Sequence, residues 1–185
     1  MSNPQAPYAV VPSMGPDGVG KTTLAGALAH SLYARAPATV TPPRSVQVSG
    51  MNVGVFEFRT ARRLYQYVDF ENAEVEARLL ASSPVAGGVL LVSAQDGIVR
   101  ATDESLKRAR EAGVPRLVGV LSKCDAVDDP EMLDLVEMTL RDRMQRYEYP
   151  ESSPVVRVSA AGAMRGDPRW RDCLPRLLDA LDSWL

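Results

Sequence analysis

The sequence predicts a three-layer α/β fold with a mainly parallel sheet and one antiparallel edge strand. Three features carry that expectation. The apolar runs at 89–92 and 117–121 are continuous rather than alternating, as in strands covered on both faces. Segments of helical period lie between such runs, with short links. Two strand-like runs, 53–58 and 64–68, are separated only by a tight turn near Thr60, which supplies the antiparallel edge. At 185 residues the chain fits a single domain, 1–185, large enough to bury a real core.

Taken in order, residues 8–11 read as a short buried strand, and Pro12 is expected at its end because proline cannot donate to a ladder. Leu24, Leu28 and Leu32 recur every four residues, predicting an amphipathic helix from Lys21 to about Arg35. Residues 36–50 hold Pro37, Pro42, Pro43, Thr39, Thr41, Ser45 and Ser49 with neither period. They read as an exposed, mobile loop. After the strands at 53–58, 64–68 and 89–92, a helix is expected with Thr102 as its cap and Asp103 and Glu104 in its first turn, ending at Gly113. Following the strand at 117–121, Asp129 and Pro130 open another helix, whose buried stripe is Met132, Val136, Leu140 and Met144. A strand at 155–158 comes next. Asp167 and Pro168 are expected to open the last helix, which buries Trp170, Leu174, Leu178 and Leu181.

Composition narrows the functional classes. Hydrophobic residues make up 45% and charged residues 24%, with a net charge of −2. That balance is ordinary for a globular domain, and no basic field marks nucleic acid as a main partner. No apolar run approaches the roughly 20 residues of a membrane helix, and residues 1–7 carry no apolar targeting stretch. Two cysteines, Cys124 and Cys173, form neither a disulfide framework nor a metal spacing, so a cytoplasmic setting is expected. His30, the only histidine, has no catalytic partner in view and reads as structural, as do Cys124, Trp170 and Trp184.

The strongest motif is Gly15-Pro16-Asp17-Gly18-Val19-Gly20-Lys21-Thr22, which fits G-x-x-x-x-G-K-[ST] at every required position. Its glycines let the backbone curl so that successive N–H groups point at an anion. The helix beginning at Lys21 adds its positive end. Lys21 brings a mobile charge to the β- and γ-phosphates, and the Thr22 hydroxyl can ligate Mg²⁺. Gly15, Asp17, Gly18, Val19, Gly20, Lys21, Thr22 and Thr23 are therefore the candidate phosphate-binding residues, and the fold is expected to be that of a P-loop NTPase.

Ser122-Lys123-Cys124-Asp125 follows the strand at 117–121 and resembles the N-K-x-D guanine-reading motif of GTPases. A carboxylate at Asp125 can accept parallel bonds from the guanine N1–H and its amine, a donor pair that adenine lacks. The Lys123 stem can lie along the base. Ser122 replaces the usual Asn. Ser159-Ala160-Ala161 resembles the S-A-x loop that offers a backbone N–H to the guanine oxygen. The candidate guanine-binding residues are thus Ser122, Lys123, Asp125, Ser159, Ala160 and Ala161. This set speaks against a P-loop kinase.

Beyond these motifs, nearly the whole chain resembles the GTP-binding domain of elongation factor Tu. The resemblance runs through Phe56-Glu57-Phe58, Tyr65-Gln66-Tyr67-Val68-Asp69, Leu91-Val92-Ser93-Ala94-Gln95-Asp96-Gly97 and Val127-Asp128-Asp129-Pro130-Glu131. It implies GTP or GDP and Mg²⁺ as ligands, with Asp69 as the second metal-site residue beside Thr22. It also implies departures. Where the family has D-x-x-G-H, this chain reads Asp69-Phe70-Glu71-Asn72-Ala73, without the glycine that senses the γ-phosphate or the histidine that positions water. Glu71 or Ala73 stands nearest the histidine's place. Residues 36–50 replace the first switch, with Ser49-Gly50 where a metal-binding threonine belongs, and Gly18 stands for the family's Asp. The resemblance therefore implies a guanine-nucleotide-binding domain with weak or absent intrinsic hydrolysis. The alternative is a pseudo-GTPase module or decoy acting on a protein partner, possibly of the translation machinery. The β-barrel domains that help grip aminoacyl-tRNA are not in this sequence, so no direct tRNA delivery is expected.

Overall fold

The computed structural model describes residues 8–35, 40–48, 51–60, 62–70, 73–82 and 85–185. Seven strands form one sheet in the order β2-β3-β4-β1-β5-β6-β7. They are β1 (Ala9–Met14), β2 (Arg44–Val48), β3 (Met51–Arg59), β4 (Leu64–Phe70), β5 (Gly88–Ser93), β6 (Leu117–Ser122) and β7 (Val155–Arg157). From β4 to β7 the pairings are parallel, while β3 runs antiparallel to both β2 and β4. Helices α1 (Lys21–Arg35), α2 (Ala73–Ser82), α3 (Arg100–Glu111), α4 (Pro130–Arg146), α5 (Ala160–Met164) and α6 (Cys173–Trp184) fill the outer layers. The expected mainly parallel α/β sheet with an antiparallel edge is what forms.

Alternation along the central strands divides the core in two. Val11, Val89, Leu91, Val118 and Val120 face α1 and α6, meeting Leu24, Leu28, Leu177 and Leu181. Met14, Leu90, Val92, Leu117 and Leu121 face the other way, onto Leu106 of α3 and Val136, Leu140 and Met144 of α4. The β2–β4 end is covered on that second side by Val75 and Leu79 of α2. Both cysteines are unpaired and buried. No described helix is long and apolar enough to cross a membrane.

Several expectations are corrected. The 36–50 stretch is not all loop: Arg44–Val48 pairs in register with β3, Val46 opposite Val53. The β-branched valines at alternate positions outweigh the flanking prolines. Residues 36–39 and 49–50 lie outside the described residues. Pro12 sits inside β1 rather than ending it. Val10, which faces the same side, accepts a bond from the Ala86 N–H, and β5 begins to pair only at Ser13, so the proline's missing donor falls beside the start of β5. Helix α3 begins at Arg100 with Val99 as its cap. Thr102 lies one turn in and reaches back, its hydroxyl accepting from the Val99 N–H at 3.4 Å. Asp167 and Pro168 open only a short 3₁₀ turn, Pro168–Trp170, and α6 starts separately at Cys173. In α4, Met132 is exposed, while Asp129 caps the helix as expected by accepting from the Glu131 N–H at 2.9 Å. In α6 the stripe passes through Leu177 rather than Leu178. Helix α2 had no counterpart in the sequence reading, although Val75 and Leu79 are four apart and Arg78 pairs with Glu74 one turn away.

Candidate functional site

In an open α/β sheet, ligands bind outside the carboxyl ends of the strands, where successive connections diverge. Here that point is β1, flanked by β4 and β5. The chain leaves β1 at Met14 and enters the glycine-rich loop. Gly15 holds φ +128°, and a Cβ there would stand 2.4 Å from the Leu91 carbonyl oxygen, so only glycine lets the loop pass β5 this closely. The loop closes onto α1, whose first turn is sealed by the Leu24 N–H donating to the Gly20 carbonyl at 2.9 Å.

Lys21 is buried, and its ammonium folds over the loop. It donates to the Gly15 and Pro16 carbonyls at 2.9 Å each and lies 3.6 Å from the exposed Asp17 carboxylate. The exposed carboxylate is the partner that a phosphate can most readily displace. Beside it, the Thr22 hydroxyl donates to Asp69 Oδ2 at 2.6 Å. The other oxygen of Asp69 accepts from the Ser13 hydroxyl at 3.0 Å, and that hydroxyl also reaches the Val68 carbonyl at 3.2 Å. Thr22 and Asp69, from α1 and β4, thus converge as a pair of hard oxygen ligands. No cluster of three or more His, Cys, Asp or Glu suited to a metal occurs among the described residues. A cation held here would complete its shell with phosphate and water oxygens, which is how Mg²⁺ is usually bound.

Two cavities meet at this loop. One, of about 300 Å³, is bordered by Asp17, Gly18, Gly20, Lys21, Thr22, Thr23 and Phe70. The second, of about 210 Å³, is bordered by Gly20 and Thr23 on the loop side and by Lys123, Asp125, Ala160 and Ala161 on the far side. Gly20 and Thr23 belong to both, so a polar, open cavity adjoins a more enclosed, more apolar one. Val19 borders the second cavity. Gly15 lies buried beneath the loop.

Local backbone geometry aims the second cavity's polar groups. Lys123 adopts φ 55°, ψ 32°, a left-handed conformation costly for a side-chain-bearing residue and typical of functional positions. It turns the chain from β6 into the 3₁₀ turn Cys124–Ala126, which the Cys124 N–H ties to the Val158 carbonyl at 3.2 Å. Ser159 caps α5, accepting from the Gly162 N–H at 2.8 Å. The Asp125 carboxyl is held below the usual carboxylate range, first by a hydrogen bond from the Ser159 hydroxyl and also by Arg165. Burial pushes the Cys124 thiol up to about 11, so it stays a neutral packing group.

Of the six candidate guanine residues, Ser159 does not border the second cavity, and Ser122 borders it but spends its hydroxyl elsewhere. Ser159 is fully buried behind Asp125. The Ser122 hydroxyl turns to the Val19 carbonyl at 2.6 Å and the Val92 carbonyl at 3.1 Å, stitching β6 to the phosphate loop and to β5. Removing it with Ser122→Ala strands buried acceptors, at a cost of about 1–3 kcal/mol, or roughly 3–10 °C in Tm for a domain of this size. Calorimetric unfolding checks this, and an unchanged Tm would contradict the stitch.

Sequence reasoning did not foresee Ser13, Phe70, Glu76 or Arg165. Glu76 is buried on α2 and bound to Arg108 of α3 at 3.2 Å. Burial pushes its carboxyl up, against the opposing pull of Arg108 and Lys21. Glu71 and Asn72 lie outside the described residues, and Ala73 begins α2.

The model of the family described as the Elongation factor Tu GTP binding domain matches residues 10–185. Sheet order, glycine-rich loop and cavity pair all suit that match, and the chain belongs to the elongation factor Tu family of GTP-binding domains.

Proposed function

We propose that this domain binds GDP and GTP together with Mg²⁺, reads guanine through Asp125, and hydrolyses GTP weakly or not at all when unaided. The observation that carries this reading is the continuous path from Lys21 and Thr22, through Gly20 and Thr23, to Asp125. Along it, Lys21 and the loop N–H groups would hold the phosphates, and Thr22 and Asp69 would hold Mg²⁺. When bound, Mg²⁺ would supply positive charge that offsets the phosphates' negative charge. Lys123 and Ala160-Ala161 would border the base, while Asp125 accepts from its N1–H and amine.

Weak hydrolysis follows from what residues 69–73 lack. Asp69 keeps a place beside Thr22, but no glycine or histidine follows it at the family positions. Glu76–Arg108 further ties the helix after Asp69 to α3, and breaking a buried pair is costly. A ligand shifts a conformational equilibrium only by its differential affinity for the two states. GDP and a non-hydrolysable GTP analogue should therefore bind within about tenfold of each other, or 1.4 kcal/mol. Single-turnover hydrolysis should run at or below the order of 10⁻⁴ s⁻¹. Brisk unassisted turnover would overturn this reading. The same missing residues favour a second reading, a non-catalytic module that engages a protein partner.

A further inference from the structure

Asp125 has a partner that base reading does not require. Arg165 stands at the end of α5, its N–H bound to the Ala161 carbonyl at 3.0 Å, before Gly166 turns the chain away at φ +76°. From there its Nη2 donates to Asp125 Oδ2 at 3.3 Å, across 40 residues of sequence. A second carboxylate within electrostatic reach, Asp167, is already engaged by Arg169 through its backbone N–H at 3.0 Å and Nη2 at 3.1 Å. Arg165 does not border the 210 Å³ cavity, so it meets Asp125 from outside the space where a base would lie.

We propose that Arg165 is a positioning residue for guanine recognition, fixing the Asp125 carboxylate from outside the cavity in the orientation that accepts two parallel bonds. This rests on the reading of Asp125 given above. The terminal torsion of an aspartate is broad, and a carboxylate offers about four lone-pair directions. Guanine needs one on each oxygen, in one plane. Arg165 engages Oδ2 without bordering the cavity, and the Ser159 hydroxyl bears on the same carboxyl, so less orientational freedom is lost when the base arrives. Arg165 also belongs to the charge balance around Asp125. Lys123 and Asp128 flank it on its own segment, Arg165 comes from α5, and Arg169 comes from the turn that follows.

The pH dependence has a definite sign. Asp125 must be ionised to accept from guanine, and its carboxyl is held low, so GDP binding extends to lower pH than an ordinary carboxylate would allow. Without Arg165 the carboxyl moves up, and affinity is lost at higher pH.

The test titrates GDP and ADP into wild type, Arg165→Ala and Arg165→Lys across an acid pH series. Because Arg165 is largely exposed, Arg165→Ala should weaken GDP by about threefold to fivefold, leave ADP unchanged, and move the acid limb of GDP binding to higher pH. Arg165→Lys should recover part of the loss. GDP affinity within about twofold of wild type, an unmoved acid limb, or equal losses for GDP and ADP would overturn the proposal. A wild type that fails to prefer GDP over ADP would instead overturn the Asp125 reading itself, and the proposal with it.

Discussion

Lys21→Ala is expected to lose about 2–4 kcal/mol of GDP affinity, as truncating one member of a buried charge pair does, or roughly 30-fold to 700-fold in Kd. Lys21 is buried against its loop and poised by the Gly15 and Pro16 carbonyls, so its ammonium is already placed before ligand arrives. Little ordering is then lost when a phosphate replaces Asp17 as its exposed partner. The loop keeps its shape without the ammonium, because Gly15 fits under Leu91 and Ser122 holds Val19. Titration calorimetry alongside thermal unfolding separates the effects. Unchanged affinity would mean that the loop is only a turn.

Asp125→Asn is expected to exchange one base for another. The amide retains one acceptor but presents an N–H where guanine also donates, so both parallel bonds suffer. Bonds to charged groups contribute about 1.5–3 kcal/mol each, so GDP should weaken by on the order of 100-fold. Xanthosine diphosphate carries a carbonyl in place of the amine and should become the better ligand. The Asn side chain fits the same space and still reaches Ser159 and Arg165, so stability should hold. The competition to run sets GDP against xanthosine diphosphate. Retained GDP preference in the variant would remove Asp125 from base reading.

Much of the site was legible because its parts are contiguous. The glycine-rich loop spans eight neighbouring residues, and its chemistry depends on local backbone shape. The apolar runs of β5 and β6 are buried on both faces and read directly as strands. What escaped depends on residues that only the fold unites. Ser13 meets Asp69 across 56 positions and Arg165 meets Asp125 across 40, and no local period marks either pair. Glu76 and Arg108 lie on different helices. Strand β2 was hidden because its flanking prolines and hydroxyl residues read as loop, while its ladder with β3 is a tertiary fact. Ser122 shows a subtler limit. Its place in the motif was clear, but the direction of its hydroxyl, toward Val19 rather than a base, depends on how closely β6 passes the phosphate loop.

Whether the cavity beside the glycine-rich loop reads guanine is decided by titrating GDP and ADP into the wild-type protein with Mg²⁺, since the two ligands share their phosphates and ribose and differ only in the base. A buried site that hydrogen-bonds a specific donor pair rejects an analogue lacking it by several orders of magnitude. GDP is expected to bind at least about 100-fold more tightly than ADP, whereas equal affinities would remove guanine reading from this cavity.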